Sequence, residues 1–146
     1  MKGKLFMAFI VFGTILIRPH YCLAEQRVIN EDSRELQFQD LLMVYLNEKV
    51  DEDVNHYYEK YLKVPVSVYP YQVEFINIEL LNGFRGFDFK VVINVTPVVG
   101  PHISVGKDQH TYEISYGIPG NAKLLNFNHL ETVTLPPHWQ HIIRRP

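Results

Sequence analysis

The strongest constraint on this fold is a change in the spacing of apolar residues near Pro65. Before that proline, from about residue 33 to residue 62, apolar side chains recur every three or four positions, which is typical of an amphipathic helix. After it they alternate with polar side chains, which is typical of half-buried strands. Because proline lacks a backbone N–H, Pro65 cannot continue the helix. The sequence therefore predicts a helical region followed by β-structure.

The helical region is expected to bury one stripe of side chains. Asp32, three residues before Glu35, has the character of a capping box at its start. Weak helix formers cluster at 47–53, so two shorter helices fit the same pattern. The predicted stripe comprises Leu42, Leu46, Val50, Val54, Tyr57, Tyr58, Tyr61 and Leu62.

Four strands are predicted in the second part of the chain. A shift in the alternation around Phe75 and Ile76 indicates a β-bulge in the first strand. Asn82-Gly83 begins a turn that would join the first two strands as a hairpin, and 97–109 is expected to be a loop. The predicted strands are 73–81, 87–96, 110–116 and 122–129.

This order of elements predicts an α+β fold, with the N-terminal helical region packed on a four-stranded, mostly antiparallel sheet. A cystatin-like arrangement fits that order. We expect one domain over 33–130, preceded by a linker at 25–32. The proline-containing tail, 131–146, would be loosely packed or held by Trp139 alone.

The first 24 residues have the layout of a secretory signal peptide. Lys2 and Lys4 precede an uncharged apolar run at 5–17, and Cys22-Leu23-Ala24 offers small side chains before Glu25. The apolar run is too short to span a bilayer comfortably. We therefore expect cleavage after Ala24, a secreted or surface location and no stable membrane span, with retention as an anchor as the alternative.

Cleavage would limit the chemistry of the mature chain, since it removes Cys22, which is the only cysteine. No disulfide, thiol nucleophile or thiolate ligand would remain. The sequence contains no phosphate-binding loop or dinucleotide fingerprint, so we expect no cofactor. A net charge of -2 provides no basic field for phosphates, which argues against nucleic acid as a partner.

Several segments, taken in order, resemble a known family. They are Leu41-Leu42, Tyr57-Tyr58, Tyr71, Thr96 with Gly100-Pro101-His102, and the run KLLNFNH at 123–129. Over roughly residues 36–129 the chain resembles the small exported Bacillus-type proteins of the "domain of unknown function 3888" family. The Gly-Pro-His triplet after an alternating strand is the most specific element. The resemblance implies an exported bacterial α+β domain, and it implies no activity.

Candidate binding residues come from an unusual density of tyrosine. Five tyrosines lie between positions 57 and 71, and tyrosine suits a surface where one end of the ring is buried and the other stays wet. We expect a groove between the helix end and the sheet, together with the loop around His102. The candidate ligand-binding residues are His102, Tyr57, Tyr58, Tyr61 and Tyr71.

We expect a non-enzymatic binding module whose partner is an extracellular peptide, protein or glycan. One alternative is a small cell-envelope hydrolase that uses His102 with a carboxylate. The other is a metal-binding domain, in which a folded sheet would bring His102 and His129 together.

Overall fold

Helix α1 spans Arg34–Tyr58 in the computed structural model, which describes residues 33–145. Ser33 caps the helix, because its hydroxyl accepts a hydrogen bond from the backbone N–H of Leu36 at 3.1 Å. The predicted cap Asp32, the signal segment 1–24 and the linker 25–32 lie outside the described residues. No helix in the described part of the chain is long and apolar enough to cross a membrane.

Helix α1 is continuous across 47–53, where two shorter helices were the alternative. Lys49 forms ion pairs with Glu52 and Asp53 one turn further along, at 3.0 and 2.9 Å, and these pairs support the helix through its weak segment. The helix ends at Tyr58, four residues earlier than predicted. There the N–H groups of Tyr61 and Leu62 both bond to the Tyr58 carbonyl, and the chain turns away.

The strands form a four-stranded antiparallel sheet, which confirms the predicted α+β class. The strands in chain order are β1 (Val73–Leu80), β2 (Asp88–Val95), β3 (Val98–Val99), β4 (Ile103–Ser104), β5 (Gly106–Ser115) and β6 (Ala122–Thr132). The sheet order is β1-β2-β5-β6, and β3 pairs with β4 in a separate two-stranded ribbon. The predicted bulge in β1 is confirmed by a register shift between Phe75 and Asn77.

Helix α1 covers one face of this sheet. Its buried stripe joins alternate residues of β2 and β5 in a single core, as the two periodicities predict. The central members of that core are Leu46, Val50, Val54, Val91, Ile93, Val95 and Tyr112. The opposite face of the sheet carries mainly polar side chains and is covered by no element among the described residues.

The segment 97–109 differs from the predicted loop. It contains the β3-β4 ribbon, and β5 begins at Gly106, four residues before the predicted start. Asp108 and His110 occupy the helix-facing side of β5 and are fully buried. Because both side chains are polar, the start of β5 did not show the apolar alternation that indicates a strand.

The C-terminal tail is neither loose nor held by Trp139 alone. Leu135 and Ile142 are buried in the main core, and Trp139 packs against it. Backbone hydrogen bonds also join Lys63 N–H to the Ile142 carbonyl and Arg144 N–H to the Tyr61 carbonyl, both at 2.8 Å. The tail is therefore part of the folded domain, and it pairs with the segment that follows α1.

Candidate functional site

Three tyrosines cluster where α1 ends. The helical spacing places Tyr57 and Tyr58 in the last turn of the helix, and Tyr61 follows in the turn after it. Tyr58 is buried, Tyr57 is half-buried and Tyr61 is 51% exposed. The Tyr57 ring lies 5.0 Å from the Tyr58 ring and 5.3 Å from the Tyr61 ring, measured between centroids. The rings thus form one continuous aromatic surface that runs from the core to solvent.

A histidine and a carboxylate meet beneath this surface. His129 on β6 stands opposite Asp108 on β5, and its Nδ1 lies 2.6 Å from Asp108 Oδ1. Asp108 is fully buried, whereas the His129 side chain is 24% exposed. The other ring nitrogen of His129 lies 2.7 Å from Thr132 Oγ1. Because a carboxylate can only accept, Nδ1 donates to Asp108, and in the neutral form of the ring Nε2 accepts from the Thr132 hydroxyl.

Tyr58 completes the buried polar cluster. Its hydroxyl faces Asp108, although neither the Tyr58 hydroxyl nor Asp108 Oδ2 makes a hydrogen bond of standard geometry within the described residues. Burial is the main reason why the pKa of Tyr58 is raised, so the phenol stays protonated. Burial likewise raises the pKa of Asp108, and the hydrogen bond from His129 and the nearby Tyr58 hydroxyl oppose that rise.

Gly106, which has no side chain, allows the Tyr58 hydroxyl and the His129 ring to lie close to the start of β5. A Cβ atom at Gly106 would lie 2.2 Å from the Tyr58 hydroxyl and 3.1 Å from Cε1 of His129. Any side chain at this first position of β5 would therefore push the phenol and the imidazole out of place.

The cluster borders a cavity of about 380 Å³, which we call the tyrosine pocket. Most of its wall is apolar, and the polar groups come from the tyrosines, His129 and Thr132. Its lining comprises Tyr57, Tyr58, Tyr61, Leu62, Val105, His129, Thr132, Val133, Leu135 and Ile143. A concave apolar site with a few convergent polar groups is the usual form of a small-ligand pocket.

His102 and Tyr71, two other candidate residues, lie in a different cluster. His102 has a positive φ of 62° in the loop after β3, and its Nδ1 lies 2.9 Å from the Tyr71 hydroxyl. Its ring packs on Tyr69 at 4.7 Å, and Tyr69 stacks on Tyr71 at 5.7 Å. The structure therefore divides the predicted tyrosine groove into two sites with no contact residue in common.

The family is identified by a sequence match that covers most residues of both clusters. The family described as "Protein of unknown function (DUF3888)" matches residues 38–131, from within α1 to the penultimate residue of β6. The chain belongs to the DUF3888 family. No curated protein and no solved structure matches this DUF3888 chain.

The predicted metal pair is not assembled in the DUF3888 domain. His102 contacts Tyr69 and Tyr71, whereas His129 contacts Asp108 and Thr132. No group of three or more His, Cys, Asp or Glu side chains within residues 33–145 is arranged to hold a metal ion. His102 also has no carboxylate as its hydrogen-bond partner there, so the histidine–carboxylate pair expected of a hydrolase occurs at His129 and Asp108 instead.

Sequence reasoning missed two polar residues of this site in the DUF3888 chain: Asp108, which orients His129, and Thr132, which lines the tyrosine pocket. Asp108 lay in a segment predicted to be a loop, where an acidic side chain carries no signal. The one available clue was the alternation of Asp108, His110 and Tyr112, which places three hydrogen-bonding side chains on one face of a strand. Thr132 lay beyond the predicted end of the last strand.

Proposed function

We propose that this chain is an exported, non-enzymatic binding domain that receives an apolar side chain of a peptide partner in the tyrosine pocket. Export is supported by the signal-peptide layout of residues 1–24. The binding role is supported by one observation above all. A mostly apolar cavity of about 380 Å³ ends at a fixed imidazole and three tyrosine rings.

The chemistry of the wall favours a peptide side chain over a sugar in this pocket. Leu62, Val105, Val133, Leu135 and Ile143 offer no hydrogen-bond partner from their side chains, and a sugar hydroxyl buried against them would be unsatisfied. An aromatic or branched aliphatic side chain would instead remove this surface from water. Polar groups of the peptide backbone would face the hydroxyls and the imidazole that line the pocket.

The polar side of the pocket is held in place before any ligand arrives. Asp108 fixes the orientation of His129, and the close packing of Gly106 leaves Tyr58 little room to move. A binding group that is already oriented loses little conformational entropy when the ligand binds, which favours affinity.

The proposal is tested by titrating the full chain with N-acetyl-tyrosinamide and N-acetyl-leucinamide and following NMR chemical shifts. We expect shifts that saturate and that are confined to residues lining the pocket. Tyr61→Ala should weaken binding about fivefold to tenfold, because it removes a contact ring. Tyr61→Phe, which keeps the ring, should bind almost as the wild type does.

Tyr116→Ala is the matched control, since Tyr116 is 91% exposed and does not line the pocket. Binding of neither compound, or binding that is equally strong in Tyr61→Ala, would contradict the proposed role of the pocket.

A second candidate function, ester hydrolysis, is favoured by the chain of hydrogen bonds from Thr132 through His129 to Asp108. A hydroxyl, an imidazole and a buried carboxylate in this order are the parts of a nucleophilic triad. Thr132 Oγ would attack the ester carbonyl carbon, and its proton would pass to His129 Nε2. That proton would then move to the leaving alcohol as the ester C–O bond breaks, and water would hydrolyse the acyl-threonine.

The two candidates are separated by p-nitrophenyl acetate. If the site hydrolyses esters, the chain should release p-nitrophenol, Thr132→Ser should retain the activity and Thr132→Val should lose it. If the site only binds, release should be the same in the wild type, Thr132→Val and His129→Gln. Thr132→Val should leave the affinity for N-acetyl-leucinamide largely unchanged in either case.

A further inference from the structure

The sheet face that points away from α1 carries a row of hydrogen-bonding side chains. Register pairs place Glu74 opposite Asn94, Asn94 opposite Gln109, and Gln109 opposite Asn128, so the row takes one residue from each strand of the sheet. We call these four residues the amide row. Adjacent strands are about 4.8 Å apart, so the row is about 14 Å long.

Three side chains of the amide row, Glu74, Asn94 and Gln109, are linked by hydrogen bonds. Asn94 Nδ2 donates to Glu74 Oε2 at 3.4 Å, and Gln109 Nε2 donates to Asn94 Oδ1 at 3.1 Å. A carboxamide has two N–H donors and an oxygen with two lone pairs. These bonds therefore orient the amides and leave most of their donor and acceptor capacity for a ligand.

An exposed aromatic ring stands at one end of the amide row. Tyr71 is 72% exposed, stacks on Tyr69 with an angle of 11° between the ring planes, and has its hydroxyl held by His102. A cleft of about 390 Å³ connects this ring with Glu74 and Asn94. It shares no lining residue with the tyrosine pocket.

The lysines near the row are paired. Lys107, which lines the cleft, lies 3.7 Å from Glu131, and Lys90 lies 3.7 Å from Glu79 on the neighbouring strand. Polyanions such as nucleic acids bind mainly through lysines and arginines that are free to contact phosphates. The cleft therefore presents amides, the Glu74 carboxylate and an aromatic ring to its ligand, and within the described residues no unpaired lysine or arginine lines it.

We propose that the cleft and the amide row bind a neutral glycan, with a sugar ring stacked on Tyr71 and its neighbours along the row. One face of a pyranose ring carries C–H groups that pack on an aromatic ring, and the rim carries hydroxyls. Carboxamides both donate to and accept from such hydroxyls, so one row can satisfy several of them. The row has room for a short run of sugar units.

A peptide would engage this sheet differently. The main-chain groups that can pair with an added strand lie at the edges of the sheet, on β1 and β6, whereas the amide row crosses its face. The glycan site is thus separate from the proposed peptide pocket, and each can fail without the other.

The test uses the full chain with two neutral oligosaccharides, cellotetraose and N,N′,N″,N‴-tetraacetylchitotetraose, followed by calorimetry and NMR. We expect one or both to bind at micromolar to millimolar concentrations, with shifts at Asn94, Gln109 and Tyr71 and none in the tyrosine pocket. Tyr71→Ala should reduce the affinity about tenfold. Tyr71→Phe, which keeps the ring and loses the bond to His102, should reduce it by only about twofold to threefold.

Asn94→Ala with Gln109→Ala should also weaken binding, whereas Phe84→Ala, a control at a residue that is 95% exposed and outside the cleft, should not. The proposal is overturned if neither oligosaccharide binds at millimolar concentration. It is also overturned if binding is indifferent to both Tyr71→Ala and the double variant, or if a short single-stranded DNA binds the same cleft more tightly than either sugar. The titration with N-acetyl-leucinamide reports on the tyrosine pocket independently.

Discussion

His129 donates a hydrogen bond of 2.6 Å to a carboxylate, Asp108, that is completely removed from solvent. The two residues are 21 positions apart in the chain, on adjacent strands. Burial of a carboxylate is costly unless it is hydrogen-bonded, so this bond to one of the two Asp108 oxygens fixes both the fold around Asp108 and the direction of the imidazole in the tyrosine pocket.

Asp108→Asn should destabilise the protein by about 1–3 kcal/mol, because a neutral amide oxygen accepts from His129 more weakly than a carboxylate does and the new NH2 group would be buried beside the Tyr58 hydroxyl. Unfolding in urea measures this change. Asp88→Asn serves as a control, since Asp88 lies at the far end of the sheet and bonds to Asn82 and Ser115. An Asp108→Asn protein as stable as the wild type, with unchanged peptide binding, would show that the pair has no organising role.

His110 should make the protein less stable in mild acid. Its imidazole is fully buried, stacks on Phe127 at 4.4 Å, and has Nδ1 at 3.1 Å from the Tyr112 hydroxyl. That hydroxyl donates to Asp53 at 2.9 Å, so Nδ1 is the donor and Nε2 has no partner among the described residues. Burial lowers the pKa of His110 to about 4.

The direction in which stability changes with pH depends on whether the folded or the unfolded state binds the proton more readily. An unfolded histidine is protonated below about pH 6.5, whereas native His110 stays neutral down to about pH 4. Stability should therefore fall as the pH drops between these values, by about 3 kcal/mol at most. His110→Gln should flatten this part of the urea stability profile relative to the wild type. His138→Gln, at an exposed position, should leave it unchanged.

Gly106→Ala should destabilise the protein by about 2 kcal/mol or more, because the new methyl would overlap the Tyr58 hydroxyl. Adding Tyr58→Phe removes that hydroxyl and should recover part of the loss. Gly117→Ala is the matched control, since its Cβ would be 3.7 Å from the nearest atom outside its immediate chain neighbours. Thermal unfolding of the three variants distinguishes this overlap from a general effect of replacing a glycine.

Asn55→Ala should lower the free energy of unfolding by about 2 kcal/mol, because it removes the hydrogen bonds that hold the segment around Val66 to the helix. The Asn55 amide donates to the Val66 carbonyl at 2.8 Å and to the Asp51 carbonyl at 2.9 Å, and its oxygen accepts from Val66 N–H at 2.9 Å. Asn47→Ala, which removes only a 3.5 Å contact with Asp51, should cost much less. Similar unfolding midpoints for the two variants would argue against this role of Asn55.

Short-range patterns in the sequence were sufficient for most of the fold. Most of the helical stripe, the alternation along β2 and the bulge in β1 could be predicted, because burial on one side imposes a period on neighbouring residues. The predicted stripe omitted Met43, which is buried, and included Tyr61, which is 51% exposed. The same reasoning failed at β5, whose first helix-facing side chains are Asp108 and His110. A polar residue that is buried and satisfied by a distant partner looks, in the sequence, like an exposed one.

The sequence by itself determined the class of fold and the aromatic character of the helix end. Tertiary structure alone decided that Tyr57, Tyr58 and Tyr61 share a pocket with His129, and that Tyr71 and His102 form a separate cluster. The physical reason is the register between β5 and β6. This register depends on all the side chains that the two strands bury together, so no short stretch of sequence shows it. It places residues that are remote in the chain within hydrogen-bonding distance.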